Sequence, residues 1–250
     1  MKKVVFLIIS YVSQLTLHAG IYEPKVLWHK PDVEVCFYDE ESQLEDTVIY
    51  NNIISRLVYQ MEPDEVPEEK KKSIEEVIVR NFTPETTGIH FTGWKKCSES
   101  EDANVVIIRA RGVSLFNFRL PVFYKGMASI GEQSYHSEDQ GFFQAGYRKK
   151  SFVLLPSLAP EVALHEFGHV AGLRHEHIHS DAKNDYRCKL VPAFQGDGIL
   201  EKPDVSTIIN TEYDKDSIMN YCYLVTHFLP LTSREANLSP LDKETLKSIY

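Results

Sequence analysis

Residues 165–177 read HEFGHVAGLRHEH, four histidines and two glutamates within thirteen positions. Such a run is a metal site, a histidine-rich surface or a helix end where histidines gather, and spacing decides among them. His165 and His169 are four residues apart, which at 3.6 residues per turn leaves them about 40° apart on one helical face. Both imidazoles can therefore reach one ion. Glu166 is displaced around the helix, where its carboxylate can touch a metal-bound water without replacing it. A left-handed Gly172 stops the helix and turns the chain, so that His175 returns as a third ligand. Three protein ligands leave one position open, the pattern of a catalytic and not a structural zinc. In a shuffled chain of this composition HExxH is expected about 0.04 times and HExxHxxGxxH roughly 7 times in 100,000, so the longer pattern carries the inference. His177 and His179 extend the run to HxHxH, read as exposed loop in preference to a strand edge or a second metal site.

Working outward, strand-like and helix-like stretches alternate. A helix beginning near Pro160 carries the motif. Residues 33–38 (VEVCFY) have strand composition, and 44–61 place Val48, Ile49, Ile53, Ile54, Leu57, Val58 and Met61 at helical spacing. Pro67 opens another helix, with Glu68 and Glu69 in its first turn and Ile74, Val77 and Ile78 on one face. Further strands are predicted at 88–94, 104–109, 128–131 and 152–155, an α/β order. The charged stretches 39–46 and 65–72 read as solvated surface.

The 250 residues are 43% hydrophobic and 25% charged, the composition of one folded domain. Lys2 and Lys3, the apolar run from Val4 that weakens towards Leu17, and Ala19 as a cleavage residue read as a signal peptide over 1–19, although Leu17 is larger than that position prefers. Ser10, Ser13, Gln14 and Thr16 make the run too polar to span a membrane. Residues 20–250 then form a single domain. Loss of Lys2 and Lys3 takes the formal charge from −9 to −11, a surface that repels nucleic acid and anionic membranes. Cys36, Cys97, Cys188 and Cys222, none in a CxxC pair, favour two disulfides over thiols or metal ligands.

HEFGHVAGLRHE resembles the extended zinc motif of the metzincin metallopeptidases, and Glu176 after the third histidine is similar to their astacin branch. SIMNY at 217–221, preceded by Tyr213, Asp214, Lys215 and Asp216, resembles the astacin Met-turn, and LSPLDKETLKSIY at 238–250 resembles the helix that closes such domains. The likeness covers most of 26–250. It implies a metzincin-like catalytic domain, α/β or α+β in class: a twisted, mostly parallel five-stranded sheet with an antiparallel edge strand, a long active-site helix and a C-terminal helix. It also implies one zinc ion per chain, held by His165, His169, His175 and Tyr221, with Met219 beneath it as a hydrophobic base. Glu166 and Tyr221 would be the catalytic residues, Tyr221 leaving the metal to stabilise the oxyanion. Ordinary core packing is the alternative for Met219, and a buried tyrosine for Tyr221.

Several features depart from that pattern. The cysteines do not stand where the usual astacin disulfides do; Cys36 with Cys97 and Cys188 with Cys222 are the pairings offered, the others remaining open. The helix over 44–61 looks like an insertion, and no propeptide fits between the signal and Trp28. The letters FxGD of the astacin latency switch occur at Phe194–Asp197, downstream of the zinc motif, where a turn is the simpler reading. In astacins the glutamate at the position of Glu176 contacts the mature N-terminus, a role left open here.

The expected function is a secreted or periplasmic zinc-dependent endopeptidase that hydrolyses peptide bonds through a zinc-bound water activated by Glu166. It would act as a monomer on a protein or peptide substrate laid along the edge at 127–131, with no nucleic acid and no membrane anchor after signal removal. Two rivals stand beside it. One is a non-catalytic zinc-stabilised binding or adhesion module, which would need no general base; the other is a peptidase acting on cell-wall peptides with the same catalytic groups.

Overall fold

The computed structural model describes residues 21–22, 24, 27–42, 62–100, 102–111, 114–115, 118–119, 127–129, 131–132, 150–155, 157–189, 208–209, 212–220, 222 and 236–250. The expected signal peptide, the helix over 44–61, the FxGD letters and Tyr221 lie outside them. In chain order the elements are β1 (Ile21–Tyr22), β2 (Asp32–Phe37), β3 (Glu62–Asp64), α1 (Glu68–Asn81), β4 (His90–Lys96), β5 (Val105–Arg111), β6 (Ser114–Leu115), β7 (Phe118–Arg119), β8 (Met127–Ala128), β9 (Ser151–Leu155), α2 (Pro160–Val170), α3 (Tyr186–Lys189), β10 (Ile208–Ile209) and α4 (Pro240–Ile249).

The main sheet runs β4–β2–β5–β9–β8. Its first four strands are parallel and β8 is antiparallel at the edge, the arrangement that the resemblance implies. β3 adds a short antiparallel piece against the far end of β5. Near-continuous apolar runs, such as VVII in β5 and SFVLL in β9, suit strands covered on both faces. Val105, Ile107, Val153 and Leu155 face a core shared with Ile74, Val77 and Ile78 of α1 and Val162, Ala163 and Phe167 of α2. Val106, Ile108, Phe152 and Leu154 face the other way, packing around the Cys36–Cys97 disulfide. Both helices thus lie on one face of the sheet.

An aromatic row joins sheet to helix: Phe82 meets Phe91 at 5.0 Å, and Phe91 meets Phe167 of α2 at 4.9 Å, both edge-on. A β-bulge extends it. Gly93 pairs with Val35 and Lys95 with Cys36, leaving Trp94 as the extra residue, and Trp94 stacks on Phe167 at 5.7 Å. Trp94 holds φ 59°, a left-handed conformation uncommon for a bulky residue.

Two of the charged stretches are corrected in part. Asp39 is buried, because its carboxylate accepts hydrogen bonds from the amide and hydroxyl of Ser98. Lys71 is buried as well: its ammonium pairs with Glu68 and lies 5.6 Å above the Phe37 ring, while its stem covers core.

Candidate metal centre

Pro160 at the first position starts α2, and nine consecutive residues from Val162 to Val170 are buried, so His165, Glu166 and His169 are carried into the interior together. The helix ends in a Schellman motif. Leu173 donates its amide to Gly168 O at 2.9 Å and Gly172 donates to His169 O at 2.8 Å, with Gly172 at φ +92°. The left-handed glycine reverses the chain and brings His175 back, as its place in the motif predicts.

The three histidines converge. His165 Nε2 lies 3.3 Å and His169 Nε2 3.0 Å from His175 Nε2. On the other side of each helical ring a backbone carbonyl sets the tautomer. His165 Nδ1 is 2.8 Å from Ile218 O and His169 Nδ1 is 2.8 Å from Leu173 O. A carbonyl can only accept, so both Nδ1 atoms carry the proton and both Nε2 lone pairs point at the cluster. A tetrahedral zinc with Zn–N of about 2.05 Å separates its ligand nitrogens by about 3.3 Å, so the observed spacing and tautomers fit that ion. Among the described residues this is the one group of three or more His, Cys, Asp or Glu residues placed to hold a metal.

Burial and the neighbouring His165, His177 and Arg174 hold the His175 imidazole well below its ordinary pKa, which keeps it neutral as a ligand must be. Glu166 is buried beside His165 in the helix, and burial alone pushes its carboxyl up to about 8. A carboxyl with that affinity for a proton near neutral pH is suited to general acid–base work.

Residues 217–220 pack beside this helix, with Ile218 O on His165 and Met219 against Gly168. Met219 is buried, and a Cβ placed on Gly168 would overlap its sulfur, so the glycine between the two helical ligands is what admits Met219 there. Glu176 donates its amide to Met219 O at 3.1 Å, joining the third-ligand loop to the turn. Gly168 is a functional position that spacing alone does not reveal, since its signal in sequence is only a small residue where α2 meets another segment. Gly168→Ala should cost about 1–3 kcal/mol in the zinc-free protein by overpacking; denaturant unfolding that shows no loss would remove this packing role.

No protein-family model and no curated protein sequence matches the chain. Among solved structures, it is similar to high choriolytic enzyme 1, a hatching-enzyme zinc protease from the medaka fish Oryzias latipes. That match has 13% sequence identity and a TM-score of 0.45, and covers 90% of this chain and 94% of the other.

The HxHxH reading is corrected. Residues 176–184 form two short 3-10 turns and not an exposed loop, and His179 is buried, accepting the Asp181 amide at 3.1 Å and lying 5.7 Å from the Tyr213 ring. The His177 ring lies 5.2 Å from that of His175. Glu176 is buried, its Oε1 accepts the Asp214 amide at 2.8 Å, and burial raises its carboxyl to about 8. Both offered disulfides are present, Cys36–Cys97 and Cys188–Cys222. The second ties α3 to the residue two after Asn220 in the Met-turn.

Proposed function

We propose that the chain is an exported zinc endopeptidase of metzincin type, resembling the astacin branch, and that it cuts protein or peptide substrates as a monomer. The observation that carries the reading is the convergence of three buried imidazole Nε2 atoms, two of them left proton-free by carbonyls on Nδ1, beside a buried Glu166 on the same helix. His165, His169 and His175 would hold one zinc ion, with Tyr221 as a further ligand by the resemblance. When bound, zinc would supply a Lewis acid that polarises a peptide carbonyl and acidifies water. Glu166 takes a proton from the attacking water and delivers it to the departing nitrogen. Tyr221 donates its hydroxyl to the developing oxyanion.

Among the described residues β8 pairs with β9 alone, and its other edge would accept an extended peptide backbone. Export is supported by the leader-like residues 1–19 and by two disulfides. No helix among the described residues is long and apolar enough to cross a membrane.

Purified mature protein, offered a proteome-derived peptide library and, separately, cell-wall peptides, should cut the first. A chelator should abolish cleavage and added zinc restore it, whereas His175→Ala should stay inactive with zinc present. Cleavage that persists without metal would end the zinc reading. Zinc binding with neither library cut would favour the non-catalytic module, and cutting of the cell-wall peptides alone would move the substrate class.

A further inference from the structure

The orientation of His165 depends on residues far from the zinc motif. The carbonyl that accepts from its Nδ1 belongs to Ile218, and the other side of that residue is held by Asp242 in the first turn of α4: Ile218 N donates to Asp242 Oδ2 at 3.2 Å. The same carboxylate accepts from Ser217 Oγ at 2.7 Å and from Ser239 N at 3.1 Å, and the Ser217 hydroxyl in turn accepts the Met219 amide at 2.9 Å. Asp242, Ser217 and Asn220 are buried, and Asp214, hydrogen-bonded to the Ser239 hydroxyl, closes the network. In an ordinary capping box the N3 side chain returns only to the N-cap amide. Here Ser239 and Asp242 form that box, but the carboxylate has a second oxygen and spends it, with part of the first, on the Met-turn.

The bond from Ile218 N to Asp242 fixes the peptide plane before Ile218, and the bond from Met219 N to Ser217 Oγ, a hydroxyl that Asp242 itself holds, fixes the plane after it. The direction of the Ile218 carbonyl follows, and with it the tautomer that turns the His165 Nε2 lone pair towards His175 in the cluster. We infer that Asp242 is a positioning residue of the metal centre, acting on His165 through the Ile218 peptide, and not merely a cap of the C-terminal helix. The inference rests on the zinc reading above but needs no catalysis to be tested.

The test compares three variants with the parent by zinc competition titration and by 15N NMR of the imidazoles in the zinc-free protein. Asp242→Ala removes all three acceptor contacts and should weaken zinc binding about tenfold or more, the usual reach of an outer-shell ligand partner, with His165 passing to a mixture of tautomers. Asp242→Asn can accept both amides on its oxygen and donate to Ser217 Oγ; it should stay within about threefold of the parent and keep the Nδ1–H tautomer. Ser239→Ala takes away the N-cap oxygen that Asp242 N uses, at 2.9 Å, without touching Ile218. It should lower the melting temperature yet leave zinc affinity and the His165 signals unchanged. Should Asp242→Ala fail to fold, Asp242→Ser, too short to reach the Ile218 amide, takes its place.

Equal weakening of zinc binding by Ser239→Ala and Asp242→Ala would overturn the inference in favour of a purely structural cap. So would unchanged zinc affinity and tautomer in Asp242→Ala or, in its place, Asp242→Ser. A parent that cuts no peptide while these ratios hold would remove the peptidase reading and leave the positioning role standing.

Discussion

Replacing Glu166 with Gln should reduce peptide hydrolysis by about 10²–10⁴-fold, the usual contribution of one well-placed proton-transfer group, while the variant still binds one zinc ion. The same substitution should make the zinc-free protein more stable. Burial raises the folded-state carboxyl from its ordinary 4.5 to about 8. A carboxyl whose folded pKa is raised binds protons more tightly folded than unfolded, so its cost is absent below about pH 4.5, grows as the pH rises, and is complete above about pH 8. At pH 8 the Glu166→Gln substitution would remove a penalty of about 4 kcal/mol. Urea unfolding of the zinc-free proteins at pH 5 and pH 8 reads this directly. The slope should shrink without vanishing, because Glu176 and Asp242, raised to about 8 and about 6, still titrate. A variant that cuts as fast as the parent would show that Glu166 is not the proton carrier, and one no more stable at pH 8 would show that the carboxylate is already compensated.

Gly172→Val should be the most damaging single change outside the ligands. An L side chain at φ +92° costs roughly 1–2 kcal/mol in backbone strain, more when β-branched. A Cβ there would also come within 2.7 Å of Leu27 Cδ2, an overpacking cost of about 1–3 kcal/mol. The expected loss of about 3–5 kcal/mol is a large share of a domain's total stability. It falls on the turn that delivers His175, so zinc affinity should fall with it. Gly172→Asn should be the mildest replacement and Gly172→Ala intermediate, since Asn tolerates the left-handed region better than Ala. Chemical denaturation and zinc titration of the series check the order; Ala and Val behaving like the parent would mean that the turn is not held left-handed by need.

Local periodicity made most of this site legible. Helical spacing fixed the relation of His165 to His169, and the glycine three residues later announced the return of His175, because both depend only on neighbouring residues. The strands were readable from their apolar runs, and the β5 and β9 stretches fell within a residue or two of the predicted limits at their starts. What could not be read is tertiary. Asp39 sits in a charged stretch that looks solvated, and its burial follows from Ser98, which comes beside it only when the strands pair. His179 looked like part of a polar loop until the Tyr213 ring covered it. Gly168 shows in sequence only as a small residue within a helix, since its partner Met219 is fifty-one residues away. The disulfide pairing was one of three arithmetically equal choices, decided by which strands become neighbours.

The carbonyl facing His169 has a history of its own. Leu173 is bridged to Tyr22 of β1, and Arg174 donates its amide to Ile21 O at 2.7 Å, a pairing in which the Leu173 carbonyl points away from β1 and towards the helix. The two helical ligands are therefore aimed by opposite regions of the chain, one by the first described strand and the other by a turn near residue 218. A ribosome-bound fragment ending shortly after His175 would hold every ligand of the HExxHxxGxxH pattern and still lack the Ile218 acceptor. Metal capture should thus be among the last events of folding, completed only when both extremities have docked, and a truncated chain would release its ion long before it lost its helices.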